Sequence, residues 1–499
     1  MMARVHDARV IIVGAGFGGL GAAIRLREAG IGDVVVLERA PELGGTWSAN
    51  TYPGCACDVP SHLYSFSFAP NPEWSRFFAP QSEILAYLQR VARERAVAEL
   101  IRFDSEVVSA VWVEDEARWV VRTARDETFR APVLIAASGP LSEPARPDVP
   151  GLDTFEGTIF HSAQWDHSWS PRGRRVAVIG TGASAAQFIP HLQQEAAALT
   201  VFQRTAPWVM PRPDFEQPQW LRRALRRVPA LQRVLRTGIY YFAESLVYGL
   251  TKDQRALRPN EAIARWHLRR QVPDPELRAK LTPSYRLGCK RIIFANDFSS
   301  ALAQDNVEVV TEGVREVVAD GIVTVDGRKI EVDAIVMGTG FRIWRNPLAE
   351  RTVGRGGRTL AEAWKGGLDP VAYRGTVVSG FPNHFLVIGP NTALGNNSMI
   401  NIIEAQLVFI VDALCAMKRE GLATVDVRPE AQDRWNAWLQ EQLRGTVWNR
   451  GGCRSWYLTP GGVNRTLWPT YSNRFREALR GFTPADFAVE RVREAPLAA

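Results

Sequence analysis

Two short apolar segments of the chain are each followed by a glycine-rich turn and then by a helical pattern. They comprise residues 10–13 and 176–179, and each is long enough for one buried β-strand. A strand that ends in glycines and opens a helix is typical of a dinucleotide-binding unit, in which the helix N-terminus faces the pyrophosphate. The two turns are Gly14, Ala15, Gly16, Phe17, Gly18, Gly19 and Gly180, Thr181, Gly182, Ala183, Ser184, Ala185. The pattern therefore predicts two such units in one chain.

Each unit carries a different polar residue after its second predicted strand. Glu38 follows the apolar residues 34–37, and Arg204 follows residues 200–203. A carboxylate accepts a hydrogen bond from an unmodified ribose 2′-hydroxyl, whereas an arginine suits a 2′-phosphate. We therefore predict FAD on the first unit and NADPH on the second. In the alternative interpretation, one unit is a structural repeat that no longer binds a nucleotide.

The order of strand and helix patterns predicts the domain organisation. We expect an α/β fold with two dinucleotide-binding (Rossmann-like) domains, the second inserted in the first, and a helical insertion. Residues 1–142 and 340–499 form the predicted FAD-binding domain, which is discontinuous. Residues 152–213 and 284–335 form the predicted NADPH-binding domain, and residues 214–283 form the helical insertion.

The predicted helical insertion has an arginine-rich stretch without intervening acidic residues. Such a stretch has a solvated basic face, or it contacts an anionic membrane surface or an acidic partner, here through residues 219–237. We favour the solvated face. The arginines are Arg222, Arg223, Arg226, Arg227, Arg233 and Arg236.

Composition narrows the class of protein. The chain has 499 residues, of which 46% are hydrophobic and 23% are charged, as in ordinary globular proteins. The N-terminus lacks a signal-like apolar core, and no apolar run approaches the ~20 residues of a membrane span, so we predict a cytoplasmic protein. The net charge of +7 suits anionic cofactors and does not indicate nucleic-acid binding.

The cysteines and histidines suggest neither a redox dithiol nor a metal site. Cys55 and Cys57 are separated by one residue, whereas redox dithiols have a two-residue spacer, so a disulfide-reductase active site is not expected. The five cysteines are scattered, and the seven histidines show no metal-ligand spacing.

The segment between the two units carries a motif of a known family. Phe155, Gly157, His161, Trp165 and Asp166 have the spacing F-x-G-x-x-x-H-x-x-x-W-(P/D), which resembles the fingerprint of type I Baeyer–Villiger monooxygenases. The resemblance extends along nearly the whole chain. Further segments similar to motifs of this family are residues 44–47, 52–58, 287–291, 389–398 and 453–457.

The resemblance implies an FAD-dependent, NADPH-consuming enzyme. It would insert one oxygen atom of O2 beside the carbonyl of a ketone substrate, giving an ester or lactone. Arg291 is the implied catalytic residue, because a permanent cation stabilises the flavin peroxide anion and the oxyanion of the ketone adduct. Asp58 would hold Arg291 through a charge-assisted hydrogen bond.

The same resemblance implies the cofactor contacts. Lys290, Arg204 and Thr205 would bind the 2′-phosphate of NADPH, and Trp456 lies in a mobile loop that closes over the nicotinamide. His161 is interpreted as a linker residue and not as an acid or base. The other predicted cofactor contacts outside the glycine turns are Glu38, Arg39, Gly45, Thr46, Trp47, Asp58, Val59, Tyr64, Val107, Gln187 and Arg291.

The sequence leaves two alternative functions open and departs from the family pattern at one position. The first alternative is a flavin monooxygenase that oxidises nitrogen or sulfur, against which Trp165, Asp166 and Arg291 argue. The second is a non-catalytic, redox-sensing flavoprotein, which would not need Asp58 and Arg291. Asn396 stands where many relatives carry histidine, and we expect this departure to affect the choice of ketone and not the reaction.

Overall fold

Both strand–turn–helix units form in the computed structural model, which describes residues 5–343 and 346–492. The ends of the first predicted domain, residues 1–4 and 493–499, lie outside the described residues. In the first unit a buried strand leads through the glycine turn into the helix Phe17–Glu28. The strand belongs to a five-stranded parallel sheet, so strands from before residue 143 and after residue 340 share one sheet. Their spatial order is His384–Leu386, Val133–Ala136, Val10–Val13, Val34–Leu37 and Ile101–Arg102.

The second unit repeats this arrangement. Its strand Arg175–Ile179 leads into the helix Ala183–Glu195, and it is central to a second five-stranded parallel sheet. One continuous apolar core contains buried residues of both sheets, so the two units pack against each other. The spatial order of the second sheet is Val307–Val310, Ala198–Phe202, Arg175–Ile179, Ala334–Met337 and Thr158–His161.

Smaller sheets extend the two units. One five-stranded sheet has the order Val5–Asp7, Thr128–Ala131, Arg118–Thr123, Val107–Val113 and Thr352–Val353. A three-stranded meander comprises Val314–Val318, Gly321–Thr324 and Lys329–Glu331. Two strand pairs are Val209–Met210 with Ile293–Phe294, and Leu422–Val427 with Phe487–Arg491.

Helices fill the predicted insertion and the C-terminal part of the chain. The insertion contains Gln219–Arg227, Pro229–Glu244, Val247–Thr251, Arg258–Gln271 and Pro275–Lys280. The remaining α-helices are Thr46–Ala49, Gln81–Glu94, Phe298–Leu302, Pro347–Arg351, Leu360–Ala363, Met399–Glu420, Pro429–Leu443, Val447–Arg450 and Ser472–Ala478. The 3-10 turns are Ala98–Leu100, Ser162–Gln164, Gln254–Leu257, Arg355–Gly357, Lys365–Gly367 and Pro484–Asp486.

One arginine of the insertion has a structural role that the sequence did not predict. The guanidinium of Arg236 donates to the carbonyl oxygens of His62 and Ser65 over 2.9 Å each, and to that of Leu63 over 3.2 Å. These bonds tie the insertion to the first unit. Other side chains of the insertion are exposed, and surface contact through residues 219–237 stays the alternative interpretation. They include Arg223, Arg226, Arg227, Arg233, Trp220, Val234 and Phe242.

One helix comes close to the composition of a membrane span, although Glu404 and Asp412 interrupt its apolar residues. The helix Met399–Glu420 has 22 residues and a mean hydropathy of 1.8 in its most apolar window, so it meets the length and composition of a span. However, 67% of that window is buried inside the protein. The helix packs against Phe17–Glu28, and Leu407 lies so close to Gly21 that a Cβ there would be 2.8 Å from its side chain. These contacts are those of a core helix.

Candidate functional site

The first glycine turn brings its strand and helix together and leaves one side free. Gly14 has a φ of 102°, and a Cβ there would lie 2.7 Å from the carbonyl oxygen of Ala137. A Cβ on Gly19 would overlap the carbonyl oxygen of Gly14. By contrast, the nearest heavy atom to a Cβ on Gly16 is the Cα of Gly45, at 3.5 Å. The turn therefore provides open space at Gly16 for a pyrophosphate to approach the backbone.

Glu38 is fixed beside this turn by the backbone. Its carboxylate oxygens accept hydrogen bonds from the amides of Ala15 at 2.6 Å and Ala40 at 2.9 Å, and only 7% of the residue is exposed. Each oxygen has two lone pairs, so the carboxylate can also accept from a ribose hydroxyl. The neighbouring Arg39 forms an ion pair with Glu143 at the rim.

The second turn has the same geometry. Gly180 has a φ of 106°, and a Cβ there would lie 2.5 Å from the carbonyl oxygen of Gly338. A Cβ on Gly182 would meet no atom within 4 Å. Ala185, in place of a third glycine, is fully buried and packs against Gly338. Ala185 is small enough for the helix to pack closely on its strand, and the structure fits a second dinucleotide here.

Two cations beside the second turn have no carboxylate partner among the residues that the structure describes. Burial lowers the pKa of Lys290, and the nearby guanidinium of Arg204 lowers it further. The ammonium of Lys290 lies 5.1 Å from the ring centre of Tyr285. Within residues 5–343 and 346–492 neither Lys290 nor Arg204 forms an ion pair, so an anionic group here would relieve the repulsion between the two cations.

Arg291 and Asp58 form a close ion pair. Nη2 and Nε of Arg291 donate to Oδ2 of Asp58 over 2.6 and 3.0 Å, and Nη1 faces the carbonyl oxygen of Leu394 at 3.5 Å. Asp58 raises the pKa of Arg291 further above its ordinary value. Both side chains keep 27% of their surface exposed. The guanidinium is therefore a permanent cation that still has surface open to a ligand.

The ion pair and both glycine turns line one cavity of about 1170 Å³. Four predicted site residues do not line it. They are Ala15, Gly19 and Ala185, which are buried, and Arg204, which interacts electrostatically with Lys290 of the cavity lining. All the other predicted site residues, from Gly14 to Trp456, line the cavity. Residues that are remote in sequence thus share one space, which is large enough for dinucleotides and a small substrate.

Aromatic side chains and an amide shape the middle of the cavity. Nε1 of Trp47 donates to the hydroxyl of Tyr64 over 3.2 Å, and the ring of Tyr64 stands edge-on to Phe17 at 5.3 Å. Both amide atoms of Gln187 bond to the backbone of Ala56, at 3.0 and 3.1 Å. Gln187 therefore also joins the helix of the second unit to the first unit.

Some cavity residues escaped the sequence analysis. Tyr457 lines the cavity with its side chain buried, and its electrostatic interaction with Arg291 places its phenol beside the ion pair. Asn397 lines the cavity too and donates to Glu244 over 2.7 Å, while Asn396 donates to the carbonyl oxygen of Ala243 over 2.8 Å. The motif around Trp456 pointed to Tyr457, but no pattern indicated that Asn396 anchors its loop to the insertion.

His161 has the structural position that the sequence predicted. It is 2% exposed, its Nδ1 accepts a hydrogen bond from the amide of Ala163 over 3.1 Å, and its ring stands edge-on to Phe341. Burial lowers its pKa, so the imidazole is neutral at pH 7. It does not line the cavity, and it contacts the segment that crosses back to the first unit.

Comparison with known proteins places the chain in a family. A family model described as "Pyridine nucleotide-disulphide oxidoreductase" matches residues 11–233. Over 490 residues the chain is 51% identical to a Baeyer–Villiger monooxygenase of Streptomyces coelicolor, covering 98% of this chain and 94% of that protein. A Baeyer–Villiger monooxygenase of Pseudomonas aeruginosa is 46% identical over 100% of this chain and 94% of its own length. The chain belongs to the Baeyer–Villiger monooxygenase family.

Solved structures of Baeyer–Villiger and related monooxygenases have the same fold. An oxidized steroid monooxygenase bound to NADP matches with a TM-score of 0.85 and 32% identity, covering 98% of this chain and all of that one. A complex of OTEMO with FAD and NADP matches with a TM-score of 0.86 and 26% identity, covering 97% and 99%. The predicted family, fold class and two cofactors are confirmed. The chain is an NADPH-dependent flavoprotein monooxygenase of the Baeyer–Villiger type.

Proposed function

We propose that this Baeyer–Villiger monooxygenase converts a ketone to an ester or lactone in the cavity beside Arg291. FAD would bind at the turn of Gly16 and NADPH at the turn of Gly182, and both turns line the cavity. The ion pair of Arg291 and Asp58, which shares one cavity with both turns, is the observation that carries this proposal. The proposed domains keep the boundaries predicted above, with the FAD-binding domain discontinuous.

The reaction divides between the cofactors and the side chains. Bound FAD, once reduced by NADPH, supplies the activation of dioxygen. The guanidinium of Arg291 stabilises negative charge on oxygen beside the ketone carbonyl, because a preorganised cation in a partly dry cavity needs little reorganisation. The guanidinium of Arg291 stays protonated at any working pH, so it does not act as an acid.

Asp58 acts as a positioning residue in this proposal. Its Oδ2 accepts two donors of Arg291, which holds the guanidinium in one orientation and leaves Nη1 facing the loop at Leu394. Without that carboxylate, the arginine side chain would regain several rotamers and leave the cavity more often.

Replacing Arg204 by alanine should erode the preference for NADPH over NADH. Arg204 and Lys290 lie close together without carboxylate partners in the described chain, and we propose that they bind the 2′-phosphate with Thr205. Loss of one charge-assisted contact should raise the KM for NADPH roughly tenfold to a hundredfold, with little effect on NADH. Initial rates with both nucleotides measure this.

The matched control for Arg204 is Arg227→Ala, because Arg227 is an exposed arginine outside the cavity. It removes the same charge from the protein and should leave both KM values unchanged. If the unmodified enzyme used NADH as well as NADPH, the assignment of the 2′-phosphate site would be wrong.

A panel of ketones, with NADPH consumption and product identification by mass spectrometry, tests the proposed reaction. A thioether assayed in parallel covers the alternative of nitrogen or sulfur oxidation. The expected product is an ester or lactone that is heavier than the ketone substrate by one oxygen atom, with that atom inserted beside the carbonyl. A sulfoxide as the sole oxygenated product would favour the alternative.

A further inference from the structure

A disulfide joins two segments that border the cavity and are 164 residues apart in the sequence. Cys289 and Cys453 are bonded, with their Cα atoms 6.1 Å apart. Cys289 is fully buried and stands two residues before Arg291, whereas Cys453 is partly exposed and stands three residues before Trp456. The bond therefore connects the segment that carries the guanidinium to the loop of residues 451–463.

Few other interactions hold the start of this loop. The amide of Arg286 donates to the carbonyl oxygen of Gly451 over 2.9 Å, and the Cβ and Sγ of Cys289 fill the space beside Gly451. Trp456 remains 48% exposed while lining the cavity, and its ring stands 4.4 Å from that of Tyr457. With the bond broken, Trp456 and Tyr457 would rest on packing and a few hydrogen bonds.

We propose that Cys289 and Cys453 form a reversible redox site, oxidised by hydrogen peroxide and reduced by a thiol reductant, which fixes the loop over the cavity. The proposal rests on the proposed function, because the oxidant is the enzyme's own side product. FAD bound in this cavity, once reduced, would release hydrogen peroxide there when it reacts with oxygen without a ketone.

The oxidation balances with one molecule of peroxide. The thiolate of the partly exposed Cys453 attacks one peroxide oxygen, the O–O bond breaks, and a sulfenic acid and one water result after proton transfer. The thiol of Cys289 then attacks that sulfur, the S–S bond forms, and a second water leaves. Two thiols are oxidised and one peroxide is reduced to two waters. A thiol reductant reverses the step by disulfide exchange.

The other cysteines are poor targets for peroxide. Burial raises the pKa of the Cys55 thiol to about 11, and it raises the pKa of Cys57 further, so neither is a thiolate at neutral pH. Cys415 is a partly exposed thiol on the helix Met399–Glu420, and it has no disulfide partner in the described chain. Among the five cysteines, all of which lie in the described part of the chain, only Cys289 and Cys453 combine access with a second sulfur in bonding distance.

The redox site of Cys289 and Cys453 would couple the release of hydrogen peroxide to the position of the loop of residues 451–463. In the reduced protein the loop moves more freely, NADPH is held less tightly, and more reduced flavin reacts without product. The peroxide so formed oxidises the pair, and the bond returns Trp456 and Tyr457 to the cavity beside Arg291. The release of hydrogen peroxide thereby limits itself.

Thiol mapping on the holoenzyme tests the chemistry directly. The protein is reduced with a phosphine, desalted and treated with one equivalent of hydrogen peroxide, and free thiols are alkylated and located by mass spectrometry. We expect all five cysteines to be labelled before peroxide and only Cys55, Cys57 and Cys415 afterwards. A pair that stays labelled, or that is oxidised no faster than Cys415, overturns the proposal.

Cys453→Ser tests the consequence, and Cys415→Ser is the matched control at a partly exposed cysteine that forms no disulfide in the described chain. Reduction of the wild-type enzyme should raise the KM for NADPH severalfold and raise the share of NADPH electrons that appears as hydrogen peroxide. Cys453→Ser should show the reduced behaviour under both conditions, and Cys415→Ser should follow the wild type. Identical kinetics of the oxidised and the reduced wild-type enzyme would show that the disulfide does not control the loop. A protein that forms the bond but oxygenates no ketone would refute only the proposed function.

Discussion

Replacing Arg291 by alanine should abolish ester formation while FAD binding and flavin reduction by NADPH persist. The polar partners of Arg291 are Asp58 and the carbonyl oxygen of Leu394, and hydride transfer needs only the flavin and the nicotinamide in contact. Loss of one preorganised charge donor costs about 3–4 kcal/mol, a hundredfold to a thousandfold in rate. Stopped-flow absorbance after mixing reduced enzyme with oxygen, together with ester and peroxide yields, measures the effect.

Two variants serve as controls for this result. Arg291→Lys keeps a charge but lacks the planar fork that grips Asp58, so its ester yield should fall between those of the parent and Arg291→Ala. Arg227→Ala removes an exposed arginine outside the cavity and should match the parent. An alanine variant that makes ester at the parent rate would show that another group stabilises the oxygen anion.

The parts of the fold that are local in sequence could be predicted from the sequence. The strands Val10–Val13 and Val34–Leu37 have the predicted bounds, because a short apolar run between turns specifies a buried parallel strand without reference to distant residues. Both glycine turns follow from the same logic. Arg291 and Asp58 were paired through the resemblance to a family, since 233 residues separate them and no local pattern connects them.

The parts that depend on tertiary approach could not be predicted. Gln187 bonds Ala56 across 131 residues, and Cys289 joins Cys453 across 164 residues, so both contacts exist only after the two units have docked. The burial of the helix Met399–Glu420 could not be predicted for a different reason. An apolar helix that packs against another helix and an apolar helix in a membrane have similar sequences, and only burial separates them.

Replacing Gly16 by alanine should lower the FAD content, and replacing it by valine should eliminate bound FAD. Gly16 has an extended backbone (φ −82°, ψ −166°) that any residue adopts, and its added Cβ would come no closer than 3.5 Å to another protein atom. The folded chain therefore tolerates the alanine. The new carbon instead occupies the cavity where the pyrophosphate approaches the backbone, and a tenfold loss of affinity corresponds to about 1.4 kcal/mol.

Two matched glycines make this last result specific to the flavin. Gly32→Ala, at an exposed glycine with no atom within 4 Å of its Cβ, should keep full FAD and the parent melting temperature. Gly182→Ala, at the corresponding position of the second turn, should keep FAD but raise the KM for NADPH. Flavin released by heat, measured against protein, gives the FAD content, and circular dichroism checks the fold. A Gly16→Val protein that retains a full complement of FAD, or a parent that releases FMN, would move the flavin away from this turn.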